Sequence, residues 1–277
     1  MPSSRTVVFC AIDDLIPISG NVLTGFGGFL ESLADVGIPS VWVSSRNRHQ
    51  LDSPIRKLGH SGPFIAENGS GVYLPEDYFH LKPQRTLRLG RFTCIPVAAP
   101  QPAAAEALET LADDTQISIV PLRSLSTREC MQNTGLSRQE ADALRQRDFD
   151  ELFFFAGTSD ADIQRFRQRA EHHKFSLRRF GSLWSLAVRA SLATCIQELR
   201  RLYDRALHAH SFAIAITTTA ESPELSRACD RAILLTERSS TGPAPTFTSH
   251  PPAKCLPLFS TDTWPFVLDA IQRSRRP

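Results

Sequence analysis

The sequence predicts an α/β fold built on a parallel sheet with helices on both faces. Two observations carry this prediction. A strand, a helix and a second strand follow one another closely near the start of the chain, and the same alternation returns near its end. The 277 residues are 42% hydrophobic and 22% charged, which is ordinary for a folded protein. At roughly 100–200 residues per domain, this length provides one large domain or two modest ones.

The first unit begins with residues 6–12, TVVFCAI, a short and partly β-branched apolar run that acidic residues end. This pattern is typical of a buried parallel strand whose carboxyl end carries polar groups. Apolar residues at helical spacing predict a helix over residues 21–36, which Gly37 ends. Residues 40–44 predict a second strand, so the unit is βαβ.

The middle of the chain changes character and predicts an inserted α+β domain. Residues 63–75 predict a hairpin with Asn68 and Gly69 at its turn. Helices are then predicted over residues 104–111, 136–149 and 160–173, and strands over 151–155 and within 176–187. We therefore expect a first core part at residues 1–85, an inserted domain at 86–187 and a second core part at 188–277.

The parallel pattern resumes after the insertion. Helices are predicted over residues 193–208, 224–229 and 263–273, and strands over 212–216 and 232–235. The segment 239–257 is rich in Ser, Thr and Pro and predicts a loop.

Charge and cysteine content narrow the function classes. With 31 basic and 29 acidic residues the formal net charge is +2, which argues against a nucleic-acid-binding or polybasic membrane surface. No apolar run approaches the roughly 18–20 residues that a membrane span needs, and no signal peptide is recognisable. The six cysteines form no CxxC pair, which favours buried, reduced thiols and a cytoplasmic location.

Several segments resemble one protein family in the same order along the chain. They are FIAENGSGVYLP at 64–75, TGLSRQ at 134–139, RDFDELF at 147–153, the strand from Asp230 and the C-terminal Trp264. Together they resemble haloacid-dehalogenase-type (HAD) phosphatases of the mannosyl-3-phosphoglycerate phosphatase family. The resemblance implies a Rossmann-like HAD core, and it implies that the inserted domain is the cap of such an enzyme.

The resemblance also implies a set of catalytic groups, and the first of them is missing. An aspartate nucleophile forms an aspartyl-phosphate, and a second aspartate two residues later protonates the leaving group. Ala11 occupies the nucleophile position, whereas Asp13 keeps the acid/base position. Alanine has no oxygen with which to attack phosphorus or to bind a metal ion.

The other motifs are retained unevenly. Ser44 and Arg46 resemble the serine-containing phosphate-binding segment, although Ser44 also fits a simple strand end. Arg189 is the candidate replacement for the family's lysine, from which it differs in size and donor geometry. Both aspartates of the last motif are replaced, by Thr218 and Ser222. Asp13 and Glu221 are therefore the remaining candidate ligands for Mg²⁺, the cofactor expected if the protein is active.

Four further residues are candidates for holding a phosphorylated sugar or glycerate: Asn68, Gly69, Asp150 and Glu151. Each also fits a purely structural role, Asn68 and Gly69 in a hairpin turn and the two acidic residues at a solvated helix end.

Three functions remain open from the sequence. The first is a catalytically impaired or inactive phosphatase homologue that retains a binding or regulatory role. The alternative is an active Mg²⁺-dependent phosphomonoesterase that acts on a phosphorylated sugar-glycerate with non-standard residues. The third is an unrelated activity on the same fold. The expected ligand is small and phosphorylated, and the sequence identifies no protein partner.

Overall fold

The computed structural model describes residues 5–18, 22–80, 83–218, 223–236, 253–257 and 263–273. The strands are β1 (Thr6–Ala11), β2 (Ser40–Val43), β3 (Phe64–Ala66), β4 (Gly71–Leu74), β5 (Leu87–Leu89), β6 (Phe92–Pro96), β7 (Ile119–Pro121), β8 (Glu151–Phe155), β9 (Phe175–Phe180), β10 (Leu183–Val188), β11 (Phe212–Thr218), β12 (Arg231–Thr236) and β13 (Ala253–Pro257). The helices are α1 (Phe26–Asp35), α2 (Arg48–Lys57), α3 (Gln101–Thr115), α4 (Thr127–Thr134), α5 (Arg138–Leu144), α6 (Asp160–His172), α7 (Leu192–Leu207), α8 (Pro223–Ala228) and α9 (Thr263–Arg273).

The larger sheet has nine strands in the order β13-β12-β11-β1-β2-β3-β4-β6-β5. Pairing is parallel from β13 to β3 and antiparallel from β3 to β5. Because β1 lies between β2 and β11, the carboxyl ends of these three strands meet at one edge of the sheet. In open parallel sheets this edge is where ligands bind.

The strand period of two places alternate residues of β1 in two different cores. Val8 and Cys10 belong to the core that contains residues of α1, α2 and α9. Val7, Phe9 and Ala11 belong to the core that contains residues of α7 and α8. Helices therefore cover both faces of this sheet, and the predicted α/β fold class is confirmed.

The smaller sheet has four antiparallel strands in the order β7-β8-β10-β9. Phe153 and Leu186 pack with residues of α3 and α6 in one cluster. Leu152 and Leu183 pack with residues of α4 and α5 in another. We call this sheet and its four helices the cap, and the nine-stranded sheet with its helices the core.

Several local predictions differ from the structure. Helix α1 begins at Phe26, five positions after the predicted start at residue 21, which lies outside the described residues. Residues 253–257 form the edge strand β13 instead of part of a loop, because they pair with β12. Elements α2, α4, β5, β6 and β7 are not among the predicted ones. Strands β5 and β6 pair within the core sheet, which therefore reaches Pro96 and passes the predicted domain boundary at 85/86.

Two further observations concern the whole described chain. None of its described helices is long and apolar enough to cross a membrane. Five of the cysteines, Cys10, Cys94, Cys130, Cys195 and Cys229, are buried and form no disulfide bond.

Candidate functional site

A cavity of about 320 Å³ lies where the carboxyl ends of β1, β2 and β11 face the cap. The core contributes Ala11, Asp13, Ser44, Ser45 and other residues to its wall, and the cap contributes Arg178 and Arg179. The structure thus brings together four sequence-predicted site residues: Ala11, Asp13, Ser44 and Asn68.

Ala11 is the last residue of β1 and lines the cavity. Its side chain is 6% exposed and belongs to the core that packs on α7 and α8. The position that would carry the nucleophile therefore presents an apolar group to the cavity.

Asp13 is held by the end of β2. The Ser44 hydroxyl donates to its Oδ1, and the Ser45 hydroxyl and backbone N–H donate to its Oδ2 over 2.5 and 2.8 Å. The Arg46 Nε lies 3.6 Å from Oδ1. These partners contact both of its carboxyl oxygens.

The neighbouring acidic residue is also engaged. The Thr218 hydroxyl, at the end of β11, donates to Asp14 Oδ2. Thr218 stands where the resemblance implies a metal-binding aspartate, so a neutral hydroxyl replaces a charged oxygen ligand there. The pair joins the chain after β1 to the end of β11.

Asn68 lines the cavity and has a side-chain donor without a partner in the described structure. It follows β3 with a φ of 56°, a left-handed conformation that asparagine tolerates better than most residues. Its side-chain Nδ2 is buried and has no hydrogen-bond partner in the described structure. A buried amide without a partner costs free energy, which a ligand oxygen would recover.

Gly69 acts through the backbone at this turn. Its φ is +87°, and a Cβ on it would lie 2.5 Å from the backbone nitrogen of Leu192. Only glycine therefore allows the turn after β3 to approach the start of α7. Gly69 itself is not among the residues that line the cavity.

Two of the predicted basic residues do not line the cavity. Arg46 is buried, and its Nη2 donates to the backbone oxygens of Asp13 and Ile16. Arg189 is exposed in the connection between β10 and α7. The cationic groups at the cavity come instead from Arg178 and Arg179 on cap strand β9.

These two arginines were missed from the sequence. The sequence feature that could have indicated them is the adjacent arginine pair in FSLRRF (residues 175–180). This pair stands in a predicted strand and not in a catalytic motif. Arg178 forms an ion pair with Glu224 of α8, with 2.5 Å between Nη2 and Oε2. Arg179 is exposed, and its Nε donates to the backbone oxygen of Gly181 over 3.1 Å.

Asp150 and Glu151 lie apart from the cavity in buried polar contacts. Asp150 accepts hydrogen bonds from Arg147 Nε and Nη2 over 2.5 and 2.7 Å, and from the Ser185 hydroxyl over 2.5 Å. Glu151 accepts from the Gln101 side chain and lies 3.6 Å from Arg123 Nε. Both acidic residues are thus buried and paired, in contrast to the alternative of a solvated helix end.

Asp150 belongs to a group of polar side chains between core and cap that we call the junction cluster: Arg48, Glu67, Tyr73, Arg147, Asp148 and Asp150. Glu67, in the turn after β3, accepts the backbone N–H groups of Asp148, Phe149 and Asp150 over 2.9–3.0 Å. Asp148 in turn accepts hydrogen bonds from Arg48 Nε and from the Tyr73 hydroxyl, each over 2.8 Å. The hairpin motif and the RDFDELF motif therefore meet in space.

Burial raises the pKa of Glu67 to about 8. The nearby Arg147 guanidinium and the backbone N–H donors favour the carboxylate and oppose this shift, whereas Asp150 adds to it. Burial therefore favours the protonated carboxyl of Glu67, whereas Arg147 and the backbone N–H donors favour the carboxylate.

The described oxygen ligands do not fit a Mg²⁺ ion. This cation prefers octahedral oxygen ligands and is usually bound by carboxylates. Ala11 provides none, and Asp13 and Asp14 already accept hydrogen bonds from the protein. No group of three His, Cys, Asp or Glu side chains suited to a metal occurs in the part of the chain that the structure describes. The candidate ligand Glu221 lies outside that part.

Known proteins resemble this chain over about half of its length. A glucosyl-3-phosphoglycerate/mannosyl-3-phosphoglycerate phosphatase of Methanococcoides burtonii is 26% identical over 124 residues, which are 45% of this chain and 46% of that protein. A protein of the same name from Persephonella marina is 26% identical over 159 residues, 57% of this chain and 56% of its own length. No protein-family model matches the chain.

Solved structures match over nearly the whole length. A phosphatase of the HAD superfamily from Bacteroides thetaiotaomicron has a TM-score of 0.63 at 14% identity, with 98% of this chain and 97% of that chain covered. A HAD subclass IIB sugar phosphatase has a TM-score of 0.62 at 10% identity, with 96% and 99% covered. The resemblance stated from the sequence is confirmed: the chain has the fold of HAD phosphatases and is similar in sequence to mannosyl-3-phosphoglycerate phosphatases.

Proposed function

We propose that this protein binds a small phosphorylated sugar or glycerate in the cavity between core and cap and does not hydrolyse it. The observation that carries the proposal is the methyl group of Ala11 at the end of β1. Covalent phosphoryl transfer needs an oxygen nucleophile at this place. Without it the reaction fails at its first step, whatever the other groups supply.

The environment of Asp13 supports the same function. A general base or nucleophile must have an oxygen available for a proton or for phosphorus. Both Asp13 oxygens accept hydrogen bonds from Ser44 and Ser45. Asp13 therefore serves to join the ends of β1 and β2.

The ligand class follows from the donors that remain. The hydroxyls of Ser44 and Ser45 are directed at Asp13, so a phosphate would meet Asn68, Arg179 and Arg178, and at Arg178 it would compete with Glu224. Guanidinium groups match the geometry of phosphate oxygens. A cavity of about 320 Å³ is within the range for small-molecule sites. The names of the relatives suggest a phosphorylated glycosyl-glycerate, and a cytoplasmic location agrees with such a metabolite.

The experiment combines turnover and binding. Phosphate release from mannosyl-3-phosphoglycerate with Mg²⁺ is measured for the natural protein, Ala11→Asp and Asp13→Asn. Binding of the same compound is measured by calorimetry. We expect binding by the natural protein, with no turnover above that of Asp13→Asn.

The matched control separates binding from folding. Arg179→Gln, at the exposed cap arginine, is expected to weaken binding, whereas Arg205→Gln in the last turn of α7, away from the cavity, is expected to leave it unchanged. Mg²⁺-dependent turnover that Asp13→Asn abolishes would contradict the proposal and establish the alternative, an active phosphomonoesterase with non-standard residues.

A further inference from the structure

We infer that Glu224 is an internal counter-ion that holds Arg178 and closes cap strand β9 on the core until an anionic ligand replaces it. The inference rests on the proposed function, because it concerns the regulation of the same cavity. It concerns a residue to which the resemblance assigns no role.

The ion pair between Arg178 and Glu224 joins the cap to the core. Arg178 belongs to β9 of the cap, and Glu224 lies in the first turn of α8 in the core. Their side chains meet with 2.5 Å between Nη2 and Oε2, and both residues line the cavity. The contact therefore links the two walls of the cavity directly.

The described charged residues of the cavity wall balance one another. They are Asp13, Arg178, Arg179 and Glu224, so the two positive and two negative charges cancel. The carboxylate of Glu224 occupies a guanidinium face that a phosphate oxygen would otherwise contact. An entering anion must therefore compete with a carboxylate that the chain itself provides.

The ion pair between Arg178 and Glu224 is partly exposed to solvent. The Arg178 and Glu224 side chains are 29% and 43% exposed, so water screens their attraction. Ion pairs of this kind are weak. A phosphate that carries more negative charge than one carboxylate, and that forms charge-assisted bonds with Asn68 and Arg179 as well, can displace Glu224.

The test uses inorganic phosphate as the probe and Glu224→Gln as the variant. We expect Glu224→Gln to bind phosphate more tightly, on the order of three-fold, because one competing ion pair is removed. In an Arg178→Gln background the gain of affinity is expected to be smaller, because only the general repulsion between Glu224 and the anion is then removed. An equal gain in both backgrounds would reflect only the change of net charge and would overturn the inference.

A matched control is available on α7. Glu198 pairs with Arg201 over the same distance, 2.5 Å, but does not line the cavity. Glu198→Gln is expected to leave phosphate affinity unchanged. An equal gain of affinity in Glu198→Gln and Glu224→Gln would also overturn the inference.

A second measurement separates the inference from the proposed function. The core and cap are joined by residues 97–100 and 189–191, where Ala99 N–H donates to Val188 O over 2.9 Å and Ser191 N–H donates to Gly69 O over 3.0 Å. Without ligand, Glu224→Gln is expected to increase hydrogen–deuterium exchange there. Unchanged exchange overturns the inference. Increased exchange without phosphate binding by either protein supports the closing contact and contradicts the proposed function.

Discussion

The edge of the core sheet and the junction cluster differ in how closely their residues match the family that the chain resembles. At the edge, the ends of β1, β2 and β11 present Ala11, Thr218 and an Asp13 that accepts hydrogen bonds from two hydroxyl groups. In the junction cluster, two segments that resemble the family closely meet through buried charges and backbone donors.

The difference teaches which residues the fold needs. A nucleophile or a metal ligand contributes to catalysis and not to packing, so its replacement leaves the sheet intact. A buried carboxylate such as Asp150 has no water to replace its partner, so the cluster must be retained as a whole. The chain therefore keeps the arrangement of core and cap although Ala11 stands where the resemblance places the nucleophile.

The largest effect is expected at Arg147. Arg147→Met removes the only cation that the structure pairs with Asp150, within the described residues, and leaves this carboxylate buried. We expect the free energy of unfolding to fall by about 3–5 kcal/mol, which urea denaturation followed by circular dichroism measures. Arg201→Met, at an exposed pair, is the matched control and should cost less than about 1 kcal/mol. Equal losses in the two variants would remove the distinction between the regions.

The pH dependence of stability sharpens the comparison. The raised pKa of Glu67, about 8 against an ordinary 4.5, means that between these values the folded chain binds a proton that the unfolded chain has released. Raising the pH through this window therefore destabilises the folded state, by at most about 1.4 kcal/mol per pH unit. Urea denaturation at several pH values should show this slope, and Glu67→Gln should reduce it. A slope that Glu67→Gln leaves unchanged would assign the effect to other groups.

The smallest effect is expected at Asp13. Asp13→Asn loses the charge that Ser44, Ser45 and Arg46 stabilise, but asparagine keeps one acceptor and the site is partly open to water. We expect the free energy of unfolding to fall by about 1 kcal/mol in the same denaturation experiment. Asp269→Asn, at an exposed helical pair, serves as the control and should change stability by a few tenths of a kcal/mol, roughly the value of an i,i+4 pair. A loss at Asp13 as large as that at Arg147 would show that the edge is as essential to the fold as the junction cluster.

Local patterns in the sequence determined much of the fold. The apolar run at residues 6–12 and the helical spacing of α6, α7 and α9 each encode one element and one buried face, and these elements were predicted close to their observed bounds. Short or amphiphilic elements were missed, such as β5 with its exposed residues and the highly polar α2. Their stability comes from pairing and packing with distant segments, so the local sequence carries little periodic signal.

The candidate site divides in the same way. The absence of a side-chain oxygen at Ala11, where the resemblance places the nucleophile, can be read from the sequence alone, because the identity of one residue decides it. Three contacts depend on the tertiary fold: Asp13 with Ser44 and Ser45, Asp150 with Arg147, and Arg178 of the cap with Glu224 of the core. These partners are brought together by sheet order and cap placement, which depend on contacts between segments that are distant in the chain.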